Sequence, residues 1–114
     1  MKKLIEKLVT VSSPSGRESA IREAIVEEIK PYVDDMKIDP LGNLIAMKKG
    51  SSGKKLLFDG HMDEIGVVVT HIDSSGFLRV DSVGGLSPYM LLGSRLIFET
   101  GASGVVDVEG ETAK

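Results

Sequence analysis

The sequence predicts an α/β protein in two parts, on three observations. Helix-period apolar patterns fill only the first thirty residues. Period-two patterns and turn residues begin near Val33 and crowd the chain after residue 66. Between these regimes lies Phe58-Asp59-Gly60-His61-Met62-Asp63-Glu64-Ile65-Gly66, where a histidine and several carboxylates sit between two apolar runs. Residues 1–66 therefore read as an α/β unit. Residues 67–114 read as a β-rich unit whose short strands fit a small barrel or sandwich.

Leu4, Ile5, Leu8 and Val9 recur at helical spacing, so residues 2–11 are expected to form a short amphipathic helix. Ser12-Ser13-Pro14-Ser15-Gly16 breaks it. Ser15 and Glu18 have the spacing of a capping box, which starts a second helix near Gly16 or Arg17. Its buried face carries Ile21, Ala24, Ile25 and Ile29, and Pro31 ends it or bends its last turn. Met36 and Ile38 alternate with Lys37 and Asp39, Pro40-Leu41-Gly42-Asn43 supplies turn chemistry, and Leu44–Met47 returns, which predicts a β-hairpin. Gly50–Gly53 is a surface loop. Leu56-Leu57-Phe58 is expected to be a strand buried on both faces in mid-sheet, with the histidine-bearing stretch at its carboxyl end. Beyond it, Val67–Ile72, Phe77–Val80, Leu96–Glu99 and Gly104–Val108 read as short strands, and 109–114 as an end without helix or strand.

Composition narrows the function. The 114 residues carry a net charge of -3, which disfavours nucleic acid as a partner because phosphate binding needs clustered Lys and Arg. With no cysteine, disulfides and thiolate metal sites are excluded. Glu6 and Lys7 interrupt any signal-peptide core, and no apolar run approaches the roughly 20 residues of a membrane span, so a cytoplasmic location is expected.

Residues two apart in an extended segment face the same side, so His61 and Asp63 can converge. One ring nitrogen of His61 can then bind a divalent metal while Asp63 orients the ring. A satisfied polar histidine is the plainer alternative. Asp59 reads as a partner for nearby backbone, and Glu64 as either a ligand or a structural acceptor. His71, alone in a strand, is left out of the site. Arg17 and Arg95 suit a carboxylate substrate or ordinary surface ion pairs.

At these residues the chain resembles the tetrahedral (TET) aminopeptidases, a family that includes glutamyl and deblocking aminopeptidases and whose members often carry the label endoglucanase. Asp59–Gly66 resembles its A-H-M-D-E-I-G signature, with Gly60 where many members have Ala. Ser12–Glu18 resembles its P-S-G-x-E turn, Asp39–Leu44 its D-x-x-G-N-L hairpin, and Val83–Arg95 its V-G-G-x-x-P-x-x-L-x-G-x-R run. The resemblance implies the N-terminal part of a zinc-peptidase α/β domain followed by the first strands of a β-barrel dimerisation domain. It implies a homo-oligomeric aminopeptidase that uses two divalent ions, zinc or cobalt, to release N-terminal residues from peptides. By resemblance His61 is the first metal ligand and Asp63 the acid that supports it. The family's other ligands and its general base fall beyond this sequence. The chain alone is thus expected to be inactive, to hold no ion stably and to self-associate.

The sequence admits two further classes. One is a non-catalytic assembly module in which His61 is vestigial. The other is a glycoside hydrolase, which needs two carboxylates flanking a sugar bond and usually aromatic platforms; the chain has no Trp and only 4% aromatics, which argues against it.

Overall fold

A computed structural model describes residues 1–110. The chain forms two units, Met1–Glu64 and a second beginning at Ile65. No helix among the described residues is long and apolar enough to cross a membrane.

The first unit opens with helix α1 (Lys2–Val9). It covers the whole apolar pattern but stops short of the expected residue 11, where the Thr10 hydroxyl donates to the Glu6 and Lys7 carbonyls, at 2.9 and 3.0 Å, and takes up acceptors of the last turn. Helix α2 (Ser19–Ile29) buries Ile21 and Ala24, the only buried apolar residues among those described. Lys7 of α1 reaches Glu27 and Glu28 of α2 at 3.2 and 2.8 Å. A 3-10 turn (Lys30–Tyr32) follows, because Pro31 has no amide to continue the α-helical ladder.

The capping box is corrected. Helix α2 begins at Ser19, and its N-terminal residue Glu18 makes no side-chain cap. Glu18 instead accepts from the Gly16 amide at 2.5 Å, and the Ser15 hydroxyl donates to Asp63. A hydroxyl bonded to a carboxylate gains roughly twice what a neutral acceptor offers, so the spacing alone misassigns Ser15.

Strands β1 (Asp35–Ile38) and β2 (Leu44–Met47) form the expected antiparallel hairpin, pairing Asp35 with Met47 and Ile38 with Leu44. Its turn is held by one side chain. Asp39 Oδ1 accepts from the Leu41 and Asn43 amides, both at 2.9 Å, while Oδ2 accepts from Asn43 Nδ2 at 2.9 Å. Gly42 sits at φ +89°, a conformation that favours glycine.

The Leu56–Phe58 strand is a second correction. Residues 54–63 form no strand, and Leu56, Leu57 and Phe58 are 84%, 91% and 90% exposed. A central strand exists only where neighbours take up its backbone groups, and the sheet in this unit has two strands, β1 and β2.

The second unit holds β3 (Gly66–Ile72) paired with β4 (Leu78–Val83), the short helix α3 (Pro88–Leu91), and β5 (Arg95–Ile97) paired with β6 (Ser103–Val105). A bulge between Val69 and His71 shifts the β3–β4 register. The barrel or sandwich does not appear among the described residues, because the two hairpins remain separate two-stranded sheets. Of the expected irregular stretch 109–114, residues 111–114 lie outside the described residues.

Candidate metal centre

The segment 59–63 has no strand partner, yet two local devices fix it. The first is adjacency. His61 Nδ1 lies 3.0 Å from Asp63 Oδ1 and 3.0 Å from the Asp63 backbone oxygen. A backbone carbonyl can only accept. A neutral ring that hydrogen-bonds this carbonyl has its proton on Nδ1 and its lone pair on Nε2. The ring is 85% exposed, so this nitrogen is open to a ligand.

The second device is a clasp to the turn before α2. The Ser13 amide donates to Glu64 Oε1 at 2.8 Å, and the Glu64 amide donates to the Ser13 carbonyl at 2.9 Å. An isolated parallel bridge pairs Pro14 with Glu64, and Ser13 itself is buried. Ser15 then meets Asp63 from the same turn. Its hydroxyl first, and the His61 ring second, hold the Asp63 carboxyl below the ordinary aspartate range.

Beside this segment lies a cavity of about 270 Å³, bounded by the Leu41–Asn43 turn, Glu18 and residues 59–63. Asp59 and Gly60 line it with His61, Met62 and Asp63. Gly42 is tightly placed at its edge: its carbonyl accepts from Arg22 Nη1 at 2.8 Å, and a Cβ built there would come within 3.0 Å of the same nitrogen.

The predicted residues thus divide. His61 and Asp63 are brought together, and Glu64 is a structural acceptor for the Ser13 amide. His71 is an exposed residue of β3, and Arg95 bonds Ser103 Oγ at 3.2 Å across β5–β6. Sequence reasoning missed Ser13 and Ser15 as partners of the site. The serine-rich turn was visible, but nothing in a linear pattern joins positions 48 residues apart.

A divalent ion can be tested against this donor set. His61 presents one unprotonated nitrogen outward, with its opposite face held by a carboxylate, the arrangement that commonly orients a metal-bound imidazole. No group of three or more metal-binding side chains occurs among the described residues. The residues present thus fit one corner of a metal site.

The M42 glutamyl aminopeptidase family matches residues 42–112, well over half the chain. A putative aminopeptidase of Acetivibrio thermocellus is 54% identical over 106 residues, which cover 93% of this chain and 32% of that protein. A Pyrococcus horikoshii peptidase, described as able to assemble into a tetrahedron or a large octahedral shell, superimposes with a TM-score of 0.73 at 38% identity, covering 88% of this chain and 30% of the other. A Thermotoga maritima protein labelled endoglucanase superimposes with a TM-score of 0.72 at 42% identity, over 78% of this chain and 29% of its own. The chain therefore spans about a third of the length of these relatives and has the mixed helix-and-strand fold of the corresponding part of them. On the family match and these likenesses together, the chain belongs to the M42 glutamyl aminopeptidase family.

Proposed function

We propose that residues 59–64 are one corner of a metal-dependent aminopeptidase site, with His61 as a metal ligand and Asp63 as the group that orients it. The observation that carries this reading is the Nδ1 contact pair of His61, which leaves Nε2 as the outward donor. In this reading His61 holds a zinc or cobalt ion through Nε2, and Asp63 keeps the ring from rotating. The chemistry such an ion would supply is acidification of a bound water and polarisation of a scissile carbonyl. Zinc catalysis normally takes three protein ligands and an open position, so His61 supplies one of several, and a peptide substrate binds where the set is complete. Residues 1–66 form the metal-bearing part and 67–114 the start of an assembly domain, consistent with a homo-oligomer like the Pyrococcus horikoshii relative. A cytoplasmic location accords with this reading.

The test is binding and turnover together. Cobalt or zinc is titrated into the chain while the His61 ring signals are followed, and aminoacyl-p-nitroanilide hydrolysis is assayed with the same ions. Metal-induced shifts at His61 that vanish in His61→Ala support the reading, as does any hydrolysis abolished by that substitution. A ring unmoved by millimolar cobalt favours a non-catalytic assembly module instead.

A further inference from the structure

We propose that Ser15 is a positioning residue for the His61–Asp63 pair, acting through the Asp63 carboxylate from the turn that precedes α2. This deepens the metal-ligand reading of His61 and rests on it for its purpose, though not for its geometry. The two oxygens of Asp63 are divided between two partners: Oδ2 accepts from the Ser15 hydroxyl, and Oδ1 faces His61 Nδ1 at 3.0 Å. A carboxylate on a short side chain rotates between alternatives unless something fixes it. Asp63 is only partly buried, with 35% of its side chain exposed, so packing alone does not fix it. Ser15 does, because the backbone that carries it is itself tied down. The reciprocal Ser13–Glu64 amide bonds, at 2.8 and 2.9 Å, and the Pro14–Glu64 bridge set the turn directly against the Met62–Glu64 backbone. The turn is closed by the Arg17 amide donating to the Pro14 carbonyl at 2.8 Å. The hydroxyl is thus delivered to one oxygen from a fixed direction, and the other oxygen is left for the imidazole.

The consequence is a chosen tautomer. With Asp63 oriented, His61 carries its proton on Nδ1 and keeps Nε2 free before any ion arrives. Without Ser15 the carboxylate is free to turn away, Nδ1 keeps only the Asp63 backbone carbonyl as acceptor, and the Nδ1-protonated form loses part of its preference, so the Nε2-protonated form, which cannot bind a metal there, gains population.

The experiment is long-range nitrogen–proton NMR of the His61 ring in the metal-free 114-residue chain at about pH 8.5, where an ordinary imidazole is neutral. Wild type is expected to show the Nδ1-protonated pattern. Ser15→Thr, which keeps the hydroxyl, is expected to preserve it. Ser15→Ala is expected to move the population measurably toward the Nε2-protonated pattern, with Ser15→Cys, a weak donor of similar size, in between. The amide shifts of the β1–β2 hairpin report whether each variant keeps its fold. Should Ser15→Ala unfold, the cysteine and threonine variants still give the comparison. A wild-type ring protonated on Nε2 overturns the proposal, and so does a tautomer that is the same in every folded variant. Cobalt titration of the same samples separates the two ideas. A Ser15-dependent tautomer with no cobalt response sinks the metal reading alone. A cobalt response with a Ser15-independent tautomer sinks the positioning role alone.

Discussion

Replacing Leu57 by lysine alters the most exposed member of the apolar run that leads into the site. Leu56, Leu57 and Phe58 are 84%, 91% and 90% exposed. Fully burying one such side chain gains about 1.5–3 kcal/mol, so burying all three gains about 4–9 kcal/mol. That is comparable with the lower part of the roughly 4–15 kcal/mol that association costs in lost freedom, and Leu41, Ile45 and Met47 of the same unit add further exposed apolar surface. Self-association of the isolated chain is the expected outcome. Leu57→Lys should weaken it by about 10–100-fold, the loss of one buried leucine at a factor of ten per 1.4 kcal/mol. Sedimentation velocity over a range of concentrations measures both species. A wild-type chain that sediments as a single monomer and unfolds cooperatively refutes the reasoning. So does a Leu57→Lys chain that associates as strongly as wild type.

Other substitutions test the supports of the site. Gly42→Ala forces a side chain into φ +89° beside Arg22, and should destabilise the first unit by about 1–2 kcal/mol in urea unfolding. Glu64→Ala strips the acceptor from the amide of buried Ser13, at about 1–3 kcal/mol, while Glu64→Gln, which keeps an acceptor, should cost less by the same measurement. The Asn43 side chain and backbone hold Asp39 below the ordinary aspartate range. Its contribution to hairpin stability is therefore complete above the unfolded value of about 3.9 and is lost as pH falls through the lower folded value. An acid titration of the hairpin amide shifts should show that loss in wild type and not in Asp39→Asn.

Much of the first unit was legible because its signals are local. The α2 face of Ile21 and Ala24, the Pro31 break and the Asp39–Asn43 turn each depend on residues within a few positions of one another. The same holds for β3–β4, where Asp73 Oδ1 takes the Ser75 and Phe77 amides at 2.8 and 2.9 Å and Gly76 sits at φ +88°. Both hairpins use one device, an aspartate with glycine three residues later, and its physics is contained in the turn. Leu56–Phe58 was misread for the opposite reason. An apolar run states what a segment tends toward, but a strand also needs a partner for its backbone, and the partner is not encoded in the run. Ser15 failed likewise: its spacing to Glu18 is that of a cap, while the stronger acceptor lies 48 residues away.

The site segment therefore owes its order to something other than a sheet. In an open α/β sheet, a residue beyond a strand end inherits its direction from the strand's hydrogen bonds. Here residues 59–63 have none of that support, and yet His61 is held on Nδ1 by two oxygens of one neighbour. Three restraints act together. The i, i+2 relation brings the carboxylate and imidazole to the same side, the Ser13–Glu64 clasp fixes the backbone on which both are carried, and the Ser15 hydroxyl takes one oxygen of the carboxylate. Each lies wholly within Met1–Glu64. Orientation of this candidate ligand is thus a property of the first unit, set before any further donor is met. A metal site assembled on it starts with one imidazole already turned to the productive nitrogen, so the ordering of that ring is not charged against the binding of the ion.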